Sequence, residues 1–101
     1  MGNRRFENAF QFLASYFHED FGQEFASPKS ANRAFIAGSD PSTQARVTHE
    51  LRDLFGPYQG EQLDTVVFQE LGCYYRPGKH RGISTRAWLE EVIGEVENSV
   101  S

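Results

Sequence analysis

Phe6-Glu7-Asn8-Ala9-Phe10-Gln11-Phe12-Leu13-Ala14-Ser15-Tyr16-Phe17 is the stretch on which the fold turns. Phe6, Phe10, Leu13 and Phe17 recur at spacings of 4, 3 and 4, the period of one helix face. Ala9, Phe12 and Tyr16 widen that stripe, which predicts a deeply embedded helix fading near His18, with a break at Gly22.

Working outward, the same period persists between recognisable start and stop signals. Ser27-Pro28 places a capping hydroxyl before a proline in the first helical position, where no amide hydrogen is needed. A short helix through Ala31, Ala34 and Phe35 should then stop at Gly38, and Asp40-Pro41 repeats the start signal. Val47, Leu51, Leu54 and Phe55 continue that helix to Gly56-Pro57. A fourth helix is expected from about Glu61 to Leu71, with Leu63, Val66, Val67 and Leu71 inward and Gly72 as terminator. Cys73-Tyr74-Tyr75 should pack back on the bundle, and residues 76–83 read as the one long loop. Ser84 or Thr85 then caps a last helix carrying Trp88, Leu89, Val92, Ile93 and Val96, with 97–101 as a frayed tail. β-Branched residues nowhere alternate with polar ones over five positions, and Val66-Val67-Phe68 sits inside a helical pattern. The expectation is an all-α, compact bundle of about five helices forming a single domain over 1–101, with its core at about 5–96.

Composition narrows the function. The 101 residues carry 14 Asp and Glu against 10 Lys and Arg, a net charge of −4, whereas a protein built to grip nucleic acid is normally basic. One cysteine, Cys73, excludes an internal disulfide and an all-cysteine zinc site. No apolar run approaches the length of a membrane span, and Met1-Gly2-Asn3-Arg4-Arg5-Phe6-Glu7 leads into no signal-peptide core. The expected setting is therefore soluble and cytoplasmic, with no membrane partner. The charge is uneven: Arg76, Lys79, Arg81 and Arg86 fall in a segment with no acid, while Glu90, Glu91, Glu95 and Glu97 follow with no base.

Catalytic and metal chemistry find little purchase. Successive helical residues point about 100° apart, so His18-Glu19-Asp20 cannot converge on one ion, and His49 with Asp53 lacks a second imidazole. No metal or cofactor is expected. Cys73 with His80 is the one conceivable nucleophile pair, but a lone cysteine beside Leu71 and two tyrosines reads more simply as a small buried apolar residue. The segment Tyr74–Arg81, with Arg76, Lys79, His80 and Arg81 beside Tyr74 and Tyr75, is the alternative site, for a small nucleic-acid-binding protein or enzyme. A helical adaptor is a further alternative. A non-enzymatic protein-binding module leads, because an acidic surface with aromatic anchors suits a basic partner.

Two stretches go beyond composition. Tyr16-Phe17-His18-Glu19-Asp20-Phe21 resembles the Tyr-Phe-His-x-Asp-Trp signature of a family of bacterial contact-dependent growth inhibition immunity proteins, with Phe21 where tryptophan is usual. Leu71-Gly72-Cys73-Tyr74-Tyr75-x-Pro77, followed by Trp88-Leu89, resembles that family's second signature. The resemblance implies a cytoplasmic antitoxin that binds the C-terminal toxin domain of a large surface protein, a domain that in such systems is often a nuclease. The signature residues Tyr16, Phe17, His18, Asp20, Phe21, Leu71, Gly72, Cys73, Tyr74, Tyr75 and Pro77, with Trp88, are expected to hold the fold. The toxin contacts expected from charge alone are Glu19, Glu24, Glu61, Asp64, Glu70, Glu90 and Glu91. Reversal of Glu61 and Asp64 to Lys should then weaken binding and leave the melting temperature nearly unchanged.

Overall fold

Ser27 and Asp40 do what their positions before proline suggest: each accepts a hydrogen bond from the backbone amide three residues on, Ser30 at 3.2 Å and Thr43 at 2.7 Å. These caps start two of the six helices of a computed structural model that describes residues 6–18 and 27–100. The elements are α1 (Glu7–Tyr16), α2 (Pro28–Gly38), α3 (Pro41–Leu54), α4 (Glu61–Thr65, continued by a π-helical turn Val66–Glu70), α5 (Pro77–Arg81) and α6 (Thr85–Val100). No strand occurs among the described residues, and the protein is all-α. The break expected at Gly22 lies outside them.

α6 is the central element. It packs on α2, α3, α4 and α5, while α1 lies across α2 and α3. Trp88, Leu89, Val92, Ile93 and Val96 are all buried along its inner face, meeting Phe6, Ala9, Phe12, Leu13 and Phe17 from α1 and its ends. Polar groups tie the layers. Gln44 donates from Nε2 to the carbonyls of Ile36 at 3.0 Å and Ser39 at 3.1 Å, satisfying the chain where α2 ends. Glu50 on α3 accepts from the Ala9 amide at 2.9 Å and from Asn8 Nδ2 at 2.6 Å, placing a negative charge at the start of α1. Asn32 joins α2 to α6 by donating to Glu95 at 3.0 Å, and Arg52 on α3 pairs with both carboxylate oxygens of Glu97 on α6.

Four expectations need correction. Phe10 is 44% exposed, because the buried stripe of α1 is centred on Ala9, Phe12 and Leu13 and Phe10 falls at its edge. Residues 76–83 are not all loop: Pro77 starts α5 and Gly82, at φ +69°, ends it, the familiar arrangement of proline inside the start and glycine past the end. The fourth helix widens at Val66, where the Leu71 amide bonds the Val66 carbonyl five residues back at 2.9 Å. The last helix runs on to Val100, so residues 97–100 are helical.

Candidate partner-binding surface

The chain leaves the π turn at Leu71, turns at the left-handed Gly72 and crosses the end of α1 before Pro77 starts α5. Leu71, Cys73, Tyr75 and Pro77 are buried, while Tyr74 and Arg76 are exposed, the alternation of a chain with one face on a core. The Tyr74 amide donates to the Phe17 carbonyl at 2.7 Å, which pins this run to the end of α1. Tyr75 then reaches inward. Its ring centroid lies 5.1 Å from Trp88 and 6.2 Å from Phe17, and Phe17 meets Trp88 edge-on at 5.1 Å. Phe12 extends the cluster from Phe17 at 5.6 Å to Phe35 at 4.6 Å, and Tyr16 covers Phe35 from the half-buried side at 5.7 Å.

Gly72 is required twice over. Its φ is +71°, and a β-carbon placed on it would stand 3.3 Å from the Ala14 Cβ and 3.8 Å from Phe10 Cε1. Cys73 lies one residue deeper, 1% exposed, with its thiol donating to the Tyr75 carbonyl at 3.5 Å. Burial pushes that thiol up to about 12, against smaller opposing effects of the Tyr75 bond and of Arg76. A thiol so placed stays protonated and shielded at neutral pH, so Cys73 is a packing residue and the Cys73–His80 nucleophile finds no support.

The signature positions within the described residues therefore divide. Phe17, Leu71, Cys73, Tyr75, Pro77 and Trp88 are buried, and Tyr16, His18 and Gly72 are half-buried. Tyr74 serves the fold through its backbone only, with its side chain 57% exposed. Asp20 and Phe21 lie outside the described residues.

The acidic candidates divide as well. Glu61, Glu70, Glu90 and Glu91 are exposed, on α4, on the π turn and on α6, and Glu90 stands 3.6 Å from Arg86 one turn earlier. Asp64 is half-buried and accepts the hydroxyl of Thr85, joining α4 to the start of α6, where Ser84 caps the Ala87 amide at 3.0 Å. Reversing Asp64 would break an internal contact, so the expectation of an unchanged melting temperature is corrected for that residue. Glu19 and Glu24 lie outside the described residues.

Residues of α4 and its π turn, α5 and the start of α6 line an open cleft of about 730 Å³, with Leu63, Phe68 and Ile83 as apolar and Arg76, Lys79 and Arg86 as cationic lining. Two of those cations lie on rings, Arg76 at 4.2 Å from the Phe68 centroid and Arg86 at 4.7 Å from that of Phe55. The aromatic half of the proposed nucleic-acid segment is split, with Tyr74 outside and Tyr75 in the core, so only one of the two rings is open to stacking. The side chains of His80 and Arg81 are outside the described part. Among the described residues no three His, Cys, Asp or Glu side chains come together to hold a metal ion, and no helix is long and apolar enough to cross a membrane.

Sequence reasoning missed Phe10 as a surface residue and Glu50 as the partner of α1. The signal for Phe10 was present: a helix of this diameter cannot turn all of Phe6, Ala9, Phe10, Phe12, Leu13 and Phe17 toward one core, and the residue off the centre of the stripe is the one displaced.

Residues 5–96 match the profile described as CdiI immunity protein. No curated protein sequence matches the chain. A chain in the crystal structure of the CdiA-CT/CdiI complex from Y. kristensenii 33638 has a similar fold, with a TM-score of 0.85 at 19% identity, over 94% of this chain and 96% of that one.

Proposed function

This chain belongs to the CdiI immunity protein family, and from that premise we propose that it neutralises a cognate CdiA C-terminal toxin domain by binding it, without catalysing any reaction of its own. The observation that carries the proposal is the family match across residues 5–96, nearly the whole folded core. The solved complex that shares the fold pairs proteins of this kind. The toxin is read as a nuclease acting in the cytoplasm. Its substrate cleft would be lined with cations for phosphate, and an inhibitor of net charge −4 can cover such a cleft as the substrate would.

The mechanism needs surface and no cavity. A standard interface takes about 800 Å² from each partner, a modest share of the 6054 Å² this chain exposes. The exposed carboxylates Glu61, Glu70, Glu90 and Glu91 supply long-range attraction, which raises the encounter rate, while aromatic anchors slow release.

The test is growth rescue. Cells expressing the C-terminal domain of the CdiA protein encoded beside this chain should die alone and survive when the chain is co-expressed, and an unrelated acidic helical protein should not rescue them. Death in the presence of folded protein, with an active toxin, would overturn the proposal. Killing by the toxin alone without nucleic-acid degradation, with rescue by this chain, would remove the nuclease assignment and leave the immunity function standing.

A further inference from the structure

Two large hydrophobic side chains are exposed among the described residues, Phe10 at 44% and Tyr74 at 57%. They come from segments 64 residues apart, and the fold brings those segments together. Gly72 packs against α1 so closely that a β-carbon there would stand 3.8 Å from the Phe10 ring, and Tyr74 leaves the same run two residues later on its outward side. Neither ring lies in the core, which takes the neighbouring rings Phe12 and Tyr75 instead. Each of the two segments also carries an exposed carboxylate. Glu7 precedes Phe10 by three residues, nearly one turn of α1, and Glu70 precedes Gly72 by two, and both are exposed.

Rings with open faces beside carboxylates form a receptor for a side-chain cation. The face of an aromatic ring attracts a guanidinium or ammonium within about 6 Å, and a neighbouring carboxylate completes its charge. This protein already uses the first half of that arrangement twice internally, Arg76 over Phe68 and Arg86 over Phe55. Among the described residues no cation lies over the Phe10 or Tyr74 ring.

We infer that the Phe10–Tyr74 seam is the anchor of the toxin interface and takes arginine or lysine side chains of the toxin domain onto its two rings. The inference rests on the immunity reading and adds where on the surface the contact is made and by what chemistry. It moves the energetic centre away from the carboxylates of α6, leaving Glu90 and Glu91 to long-range steering. Aromatic residues at the centre of an interface carry a disproportionate share of its affinity, whereas rim charges act chiefly on the rate of encounter.

The experiment uses the full chain and the purified C-terminal domain of the neighbouring CdiA protein, with affinity and rates measured by surface plasmon resonance. Tyr74→Ala should weaken binding about 100-fold, chiefly through faster dissociation, and Phe10→Ala with it should weaken binding further. Glu7→Gln with Glu70→Gln should slow association and flatten its salt dependence. Tyr74→Phe, which keeps the ring, should restore most of the affinity lost in the alanine variant. Circular dichroism and thermal melting of each variant report folding separately, and the exposure of Tyr74 keeps that arm free of core damage. Wild-type binding that survives the Phe10→Ala, Tyr74→Ala double substitution within threefold would overturn the inference and leave the immunity reading intact. Wild-type protein that fails to bind at all would count against the immunity reading itself.

Discussion

Tyr74 and Tyr75 are chain neighbours with opposite fates. Tyr75 is 3% exposed and packs on Trp88 and Phe17, while Tyr74 is 57% exposed and contributes its amide to the fold and its ring to the surface. The middle of α1 repeats the contrast, with Phe12 inside and Phe10 outside. Each of two converging segments thus divides its rings between core and solvent. A signature motif can therefore mix residues that make the fold with a residue that is free to meet a partner, and the two kinds differ by one position along the chain.

Substitutions that separate the two kinds sharpen this contrast. The largest effect belongs to Trp88→Ala, which removes the centre of the inner cluster and should cost about 3–5 kcal/mol, read as a fall in the denaturant midpoint. Tyr75→Ala should lose a comparable amount, while Tyr74→Ala should stay within about 0.5 kcal/mol of wild type; equal losses at both tyrosines would break the contrast. Gly72→Ala tests the seam between the two layers. A side chain at φ +71° facing Ala14 at 3.3 Å should cost about 1–3 kcal/mol, and a neutral result would show that α1 is free to shift away. Cys73 should resist thiol reagents at neutral pH in the folded protein and react fully in denaturant, whereas fast labelling under native conditions would place the inner layer in exchange with solvent. The smallest effect is at the periphery. The Thr43 amide, and then its hydroxyl, hold the Asp40 carboxyl below its ordinary 3.8. A folded value lowered in this way gives stability that is complete above pH 3.8 and is lost as pH falls through the lowered value. The melting-temperature gap between wild type and Asp40→Ala should therefore narrow on acidification.

Much of this architecture was legible in the chain because local signals carried it. Ser27-Pro28, Asp40-Pro41 and Ser84 cap helices where their chemistry demands, and Gly72 adopts the left-handed backbone expected of a terminator. What was not legible depends on tertiary competition. The excess of aromatic residues on α1 is resolved only by knowing which neighbour fills the core first, and that displaces Phe10. The π turn at Val66–Glu70, after which Leu71 is buried beside Val66 and Val67, is announced by no local propensity. The candidate surface was less legible still. Charge alone selected Asp64 with Glu61, yet Asp64 is engaged by Thr85 across an interhelical contact that spans 21 residues of sequence.

The burial of Trp88 has an optical consequence. It is the chain's single tryptophan, 1% exposed and flanked by two aromatic rings, so all indole emission originates from one dry site at the centre of the inner cluster. Its fluorescence should be blue-shifted in the native protein and move to the red on denaturation. The outward seam lies on the far side of the Leu71–Pro77 run from that indole, so a ligand docking there leaves the emission maximum in place. The molecule thus carries its own fluorescent reporter of folding, one that stays silent to events on its outer face.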